Sequence, residues 1–402
     1  MTPARTTLLR IREGHAKVGF SELFFDLVFV FAITQLSHTL LENLNAVGAL
    51  RTGLLFLGVW WLWIFTSWVT NWLDPDKVPV RLMIFALMFG GLLLSSSLPQ
   101  AFAERGLVYG LVFAAMQVGR TAFMLWALRG GRSPGNFRNF VRILIWLSVS
   151  AVFWVLGGLA EPESRVGWWL VAVAIEYLGP LAYFRVPGLG RSSLSDWDVE
   201  GAHLSERCGL FIIIALGESI LITGATFAKL EWNPTAVAAF CIAFLGSVAM
   251  WWIYFDTGAE RATHRMLQQT DQTRQARQAR NAYTYLHLLI VGGIVVCAVA
   301  DELVLVHPDH ADGAGIAAII GGPALYLLGC ALFKWVTNTR RFPPFSHCVG
   351  LLLLAALAFA SAPLHLSPLL LGAATSAILM IVAAWETIAL RRGPLPAAPA
   401  VH

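Results

Sequence analysis

The sequence predicts an all-α polytopic integral membrane protein with about twelve transmembrane helices. Of its 402 residues, 57% are hydrophobic and only 13% are charged, whereas ordinary soluble domains carry about 25% charge. Sixteen tryptophans and 25 phenylalanines against seven tyrosines suit a lipid-facing protein. Apolar stretches near 20 residues, the length that crosses a bilayer, lie at 21–41, 54–72, 82–102, 107–128, 140–160, 167–185, 207–228, 236–256, 283–305, 314–337, 345–364 and 368–390.

The placement of Lys and Arg predicts that both termini face the cytoplasm. With the N-terminus inside, the cytoplasmic segments hold most of the 28 Lys and Arg residues. The opposite loops hold only Arg51, Arg105, Arg165 and Lys229. Cytoplasmic loops are enriched in these residues. The basic N-terminus carries no cleavable signal pattern, so we expect the first helix to be retained.

Local sequence matches suggest two parallel six-helix repeats, although Trp-Trp and Gly-Gly pairs also recur by chance in an apolar chain. The predicted organisation is an N-terminal arm (1–20), a first half (21–185), a cytoplasmic connector (186–206), a second half (207–390) and a cytoplasmic tail (391–402). The matching pairs are Ser21-Glu22 with Ser205-Glu206, Phe56-Leu-Gly58 with Phe244-Leu-Gly246, and Met88-Phe-Gly-Gly-Leu92 with Ile290-Val-Gly-Gly-Ile294.

The seventh predicted helix carries the densest set of candidate functional residues. His203 and Glu206 directly precede it, Arg207 opens it, and Glu218 lies at mid-depth. A carboxylate there costs about 2.5–3.5 kcal/mol on insertion scales, so such a group usually has a site or a partner. Because Arg207 lies roughly 16 Å away along the axis, another group or a proton must satisfy Glu218.

Two carboxylates one turn apart mark the first helix. Glu22 and Asp26 share a face near its predicted cytoplasmic end, where two acids favour sharing a proton or a cation because joint ionisation is penalised. The alternative for Glu22 is a helix-start acid stabilised by the helix dipole. For Asp26, a turn deeper, a site is favoured.

Other polar groups are isolated in the predicted helices. Arg120, in the fourth, needs an acidic partner, for which Glu218 and Glu176 are the deep candidates. Asp256 ends the eighth helix, and His287 lies about one turn into the ninth, either as a proton relay or as a structural residue. A further polar group is predicted to lie in an external loop that Asp301 and Glu302 open. It either binds a divalent cation weakly or is simply solvated. Its members are Asp301, Glu302, His307, Asp309, His310 and Asp312.

Common catalytic and cofactor motifs are absent. The chain contains no HExxH, GxSxG, Walker or GxGxxG signature, and its five cysteines lie singly, without metal-ligand spacing. We therefore predict no catalytic residues, no metal and no cofactor. The expected partners are the lipid bilayer and a small-molecule or ion substrate, with no nucleic acid, and nothing indicates the oligomeric state.

Two motifs carry a resemblance to a known family. At Phe20-Ser-Glu-Leu-Phe-Phe-Asp-Leu-Val-Phe29, at His203-Leu-Ser-Glu-Arg-Cys-Gly-Leu-Phe211 and at the Leu216-Gly-Glu218 that follows it, the sequence resembles the bacterial low-temperature-requirement A family. The likeness extends over about residues 15–390 and includes the Trp-rich second helix. It implies an integral inner-membrane protein. The family name describes a growth phenotype in the cold and supplies no substrate or catalytic site.

The favoured function is a proton- or cation-linked transporter or permease. Glu218 would be its central ionisable group, Glu22 and Asp26 its coupling carboxylates. The other expected contributors are positive partners and proton relays, namely Arg120, Arg207, His203 and His287, with Glu206 and Asp256 as further candidates. The alternative is a membrane-embedded enzyme or lipid-handling protein that alters bilayer composition in the cold. A sensor is disfavoured because no signalling domain is attached.

Overall fold

The computed structural model describes residues 7–10, 18–129, 134–193, 201–256, 278–338 and 342–391. These residues form an all-helical polytopic membrane protein, as predicted. They include a 3₁₀ turn, Leu98–Gln100, and a π-helical segment, Arg280–Leu286. The helices are α1 (Phe20–Glu42), α2 (Ala46–Trp72), α3 (Val78–Ser97), α4 (Gly106–Leu128), α5 (Pro134–Leu159), α6 (Pro162–Leu181), α7 (Gly201–Phe227), α8 (Pro234–Phe255), α9 (His287–Val306), α10 (Gly313–Thr337), α11 (Phe345–Ser361) and α12 (Pro368–Arg391).

Ten helical segments in the described ranges are long and apolar enough to cross a membrane. The two helices outside this set are α6, which carries Glu163, Arg165 and Glu176, and α11, which has only 17 residues. Length and composition thus support a multi-pass protein.

Two predicted boundaries change for identifiable reasons. Helix α2 begins at Ala46, well before position 54, because the Asn45 side chain accepts hydrogen bonds from Val47 N (3.1 Å) and Gly48 N (3.0 Å) and thereby caps the helix. The prediction that Asp301 and Glu302 open a loop is wrong. Helix α9 continues through both residues to Val306, since Leu303, Val304 and Leu305 extend its apolar run.

The chain divides into two compact units. The first unit comprises Met1–Glu218 and Met266–Leu288, and the second comprises Ser219–Arg265 and Leu289–His402. In the first, α2 is buried on every side from residue 58 to residue 72, as expected of a helix that is apolar all round. Its Trp61 stacks on Tyr177 of α6, with ring centroids 4.0 Å apart. Trp60 Nε1 donates to the carbonyl of Thr284 in the π-helical segment (2.7 Å).

Small residues set the helix spacing within each unit. In the first unit, a Cβ at Gly110 of α4 would lie 2.4 Å from the Trp154 carbonyl oxygen of α5. In the second, a Cβ at Gly293 of α9 would lie 2.5 Å from the backbone nitrogen of Tyr326 in α10. Only glycine permits these approaches.

Candidate functional site

A buried ionic cluster forms in the first unit where α1 and α7 face each other. One guanidinium, that of Arg207, joins two carboxylates: Nη1 donates to Glu22 Oε1 (3.1 Å) and Nη2 to Asp26 Oδ1 (2.6 Å). All three side chains are buried to at least 99%. The four-residue spacing of Glu22 and Asp26 places both acids on one face of α1, so a single planar fork reaches both.

The segment 7–10 supplies a second arginine to this cluster. Arg10 Nη2 donates to Glu22 Oε2 at 2.7 Å, and Arg10 Nε contacts the carbonyls of Thr70 (3.0 Å) and Leu73 (2.9 Å). Backbone hydrogen bonds from Arg10 N to Trp72 O and from Asp74 N to Leu8 O, both 2.9 Å, hold the segment against the end of α2. Sequence reasoning counted Arg10 only as a basic residue of the N-terminal arm.

His203 completes the cluster, which we call the α1–α7 ionic cluster: Arg10, Glu22, Asp26, His203 and Arg207. Its Nε2 lies 3.1 Å from Glu22 Oε1, and its Nδ1 lies 3.3 Å from Asn71 Nδ2. The tautomer protonated at Nε2 satisfies both contacts, donating to Glu22 and accepting from Asn71. Arg10 Nη2, 3.2 Å from Nε2, is then a second donor to the same carboxylate. With His203 neutral, two guanidiniums balance two carboxylates.

The two carboxylates differ in how completely they are satisfied. Glu22 Oε1 accepts hydrogen bonds from Arg207 and His203, and Oε2 accepts hydrogen bonds from Arg10 and the Gly19 amide (2.8 Å). Asp26 Oδ1 accepts hydrogen bonds from Arg207 and from the indole N–H of Trp63 (2.8 Å). Asp26 Oδ2 is buried with no hydrogen-bond partner among the described residues. Because an unpaired buried acceptor is costly, Oδ2 is where a proton, a water or a small cation would bind.

Glu218 lies outside the cluster. It is half-buried, and its Oε1 accepts a hydrogen bond from the Thr34 hydroxyl of α1. The ion pairs recorded among the described residues do not join Glu218 to Arg120. Arg120 instead donates to the Leu62 carbonyl (3.1 Å), to Thr66 Oγ1 (3.0 Å) and to Gln117 Oε1.

Arg120 is linked to an acid through an amide. Gln117 accepts from Arg120 and donates from Nε2 to Glu176 Oε2 (2.7 Å). The other oxygen of Glu176 accepts from Ser150 Oγ (2.8 Å) and Trp154 Nε1 (3.1 Å). Of the two predicted deep acids, Glu176 is therefore the one connected to Arg120. Gln117, one turn before Arg120, is a connecting residue that sequence reasoning missed.

Three other predicted residues do not join the cluster. Glu206 is exposed although it neighbours Arg207. Asp256 is exposed and accepts from Thr387 Oγ1 at 2.8 Å. His287 is buried, with Nδ1 2.8 Å from the Ala282 carbonyl, a bond that serves the junction between the π-helical segment and α9. Among the residues that the structure describes, no three His, Cys, Asp or Glu side chains are placed to hold a metal ion together.

The second unit contains a buried ion pair of its own. Lys334 Nζ donates to Glu386 Oε2 (2.6 Å) and to the Ile253 carbonyl (2.7 Å), and His347 Nε2 lies 3.9 Å from Glu386 Oε2. Sequence reasoning did not select Lys334 as a candidate residue. In the structure it lies inside α10 with 3% of its surface exposed. A lone lysine three residues before a helix end gave no signal of a partner in α12.

Comparison with known proteins identifies relatives of this chain. The model of the bacterial low temperature requirement A protein family, LtrA, matches residues 17–384. The chain is also similar to the uncharacterized protein RA0937 of Rhizobium meliloti (strain 1021), at 43% identity over 386 residues, which are 96% of this chain and 92% of that protein. No solved structure matches. The family match covers α1, α7 and every residue of the cluster except Arg10, and the chain belongs to the LtrA family.

Proposed function

We propose that this protein is a proton- or cation-linked transporter in which the α1–α7 ionic cluster is the coupling site. The observation that carries the proposal is Asp26 Oδ2, a buried carboxylate oxygen for which the described part of the chain offers no hydrogen-bond partner. Ionisable residues inside membrane helices are costly and usually functional.

The cluster couples the charge on Asp26 to the contact between two helices. Asp26 and Glu22 lie on α1, whereas Arg207 lies on α7. When a proton binds Asp26, Arg207 loses one of its two anionic partners, and the attraction between the helices weakens. A ligand that changes this attraction shifts the balance between two helix arrangements, as alternating access requires. Glu22, held by both arginines and His203, remains charged as the fixed anchor.

The proposal includes a topology. Twelve spans in a bacterial inner membrane, with both termini cytoplasmic, fit the distribution of Lys and Arg and make the cluster face the cytoplasmic half of the bilayer. The two six-helix halves, 21–185 and 207–390, belong to the same proposal. Reporter fusions at both termini should report the cytoplasm, and a fusion after Asp309 should report the outside.

Transport by purified protein in proteoliposomes tests the function. Vesicles that contain a pH-sensitive dye would be challenged with amino acids, sugars, organic ions and inorganic ions under an imposed pH gradient. We expect one of these classes to move together with protons in wild type and in the control Glu206→Gln. Proton movement should be lost in Asp26→Asn, which keeps the shape of the side chain but cannot exchange a proton.

Two outcomes would contradict the proposal. One is an Asp26→Asn protein that moves solute and protons in the wild-type ratio. The other is a wild-type protein that moves none of these classes while a deletion strain shows altered lipid composition at low temperature. The second outcome would favour the alternative, a lipid-handling protein or membrane-embedded enzyme.

A further inference from the structure

A small cavity inside the helix bundle of the second unit has three residues with side-chain oxygen atoms in its lining. Its volume is about 20 Å³, and α8, α9, α10 and α12 surround it. A cavity of this volume holds roughly one water molecule or one ion of similar size. Asp301 of α9 lines it, together with Thr375 and Ser376 of α12.

Asp301 is the only carboxylate among the residues that line this cavity. It lies within α9, and no hydrogen bond or ion pair between described residues involves its side chain. Asp301 is half-buried, and a charged carboxylate within a membrane helix is stabilised by a counter-charge, because an unpaired ion there is unfavourable. None of the described residues that line the cavity is a Lys, Arg or His.

The two hydroxyl groups cannot serve as donors to Asp301. Thr375 Oγ1 donates to the Gly372 carbonyl (3.1 Å), and Ser376 Oγ donates to the Ile242 carbonyl (3.2 Å). A hydroxyl has one hydrogen to donate and two lone pairs that accept. Once the hydrogen is used, each oxygen has only lone pairs to offer the cavity, and both side chains are buried.

A proline in α10 adds a fourth oxygen. Pro323 lies inside the helix and has no N–H, so the carbonyl of Ile319, four residues earlier, has no helical donor. Ile319 and Pro323 both line the cavity. The residues that line this small volume therefore include one carboxylate, two hydroxyls whose hydrogens are already used and the turn of α10 that the proline leaves with a free carbonyl. A cation satisfies such a set, whereas a further acceptor would not.

We propose that this cavity binds a single sodium ion, with Asp301 as the neutralising ligand. One carboxylate among neutral oxygens balances one positive charge, so a divalent ion would leave uncompensated charge in an apolar bundle. The cavity also has no room for the waters that Mg²⁺ retains. Gly246 of α8 keeps the cavity open, since a Cβ there would lie 2.9 Å from Ser376 Oγ.

This site goes beyond the transport function proposed above, because sodium can bind at equilibrium with no solute present. Binding of radioactive sodium to the purified full-length protein in choline chloride measures it directly. We expect saturable binding in wild type that is about 30-fold weaker or more in Asp301→Asn, the loss expected when one member of a buried charge pair is removed. Glu302→Gln, which removes the adjacent carboxylate that does not line the cavity, should bind as wild type does.

A second variant keeps the test informative if Asp301→Asn folds poorly. Thr375→Val preserves the side-chain shape and removes one ligand oxygen, and we expect binding to weaken about tenfold. Three results would overturn the proposal: no saturable sodium binding in wild type, which would mean that the cavity holds water; unchanged binding in a folded Asp301→Asn protein; or displacement of sodium by potassium at lower concentration than by sodium itself.

Discussion

The α1–α7 ionic cluster of the first unit and the Lys334–Glu386 pair of the second are both buried, but their bonding differs. In the cluster, Arg207 is shared between Glu22 and Asp26. In the pair, Lys334 donates hydrogen bonds to one carboxylate and one backbone carbonyl. A guanidinium presents a planar fork that spans two acids, whereas an ammonium is a compact point charge.

The two sites differ in which buried polar atom lacks a hydrogen-bond partner. The cluster leaves a carboxylate oxygen, Asp26 Oδ2, without a partner among the described residues, and the pair leaves an imidazole nitrogen, His347 Nε2. An open carboxylate oxygen beside a cation can accept a proton and thereby change the charge of the cluster. The Lys334–Glu386 pair is already balanced without His347. We infer that the α1–α7 ionic cluster takes part in proton exchange and that the Lys334–Glu386 pair stabilises the fold.

Loss of Arg207 should produce the largest effect. Arg207→Gln leaves two buried carboxylates with one guanidinium fewer, and removal of a partner from a buried pair costs about 3–5 kcal/mol. Thermal and SDS-induced unfolding in detergent micelles would measure the loss. The neighbouring, exposed Glu206→Gln is the matched control and should stay within about 0.5 kcal/mol of wild type. An Arg207→Gln protein as stable as that control would show that the cluster is not a linked unit.

The Lys334–Glu386 pair should be replaceable as a whole. Lys334→Met alone strands Glu386 and should cost about 2–3 kcal/mol, somewhat less than loss of Arg207 because a single acid is affected. The double variant Lys334→Met with Glu386→Leu should recover to within about 1 kcal/mol of wild type, since well-packed apolar residues can replace a buried ion pair. The same unfolding assay applies. If the double variant were less stable than the single one, the pair would have a role beyond stability.

Glu218 should contribute least to stability. Glu218→Gln keeps an oxygen that accepts a hydrogen bond from the Thr34 hydroxyl. The free energy of unfolding should therefore change by about 1 kcal/mol or less. If Glu218 takes part in proton exchange, the same variant should lose transport while folding normally. Thr34→Val, which removes only the hydroxyl, serves as the control. A Glu218→Gln protein with full transport would reduce Glu218 to a packing residue.

Part of this architecture could be read from the sequence. Helix positions followed from apolar stretches of membrane-spanning length, which depend on composition alone. Glu22 and Asp26 could be placed on one face from their spacing, and His203 and Arg207 could be selected because charged groups at the start of an apolar helix need partners. These inferences use only short-range periodicity.

The partners themselves could not be read, because they come from distant parts of the chain. Arg10 enters the cluster only when the segment 7–10 pairs with the end of α2. Gln117 links Arg120 of its own helix, α4, to Glu176 of α6. Lys334 looked like a charge flanking a helix until the fold brought Glu386 against it. Glu218, favoured for its depth, has a simple hydroxyl partner instead.

The central claim is that Asp26 is the member of the cluster that exchanges a proton. Infrared difference spectroscopy of the reconstituted protein, recorded as the pH is lowered, detects the carbonyl stretch of a carboxylic acid as it becomes protonated. We predict a protonation band in wild type that persists in Glu206→Gln and disappears in Asp26→Asn. A band that survives unchanged in a folded Asp26→Asn protein, or no protonation band in wild type, would contradict this account.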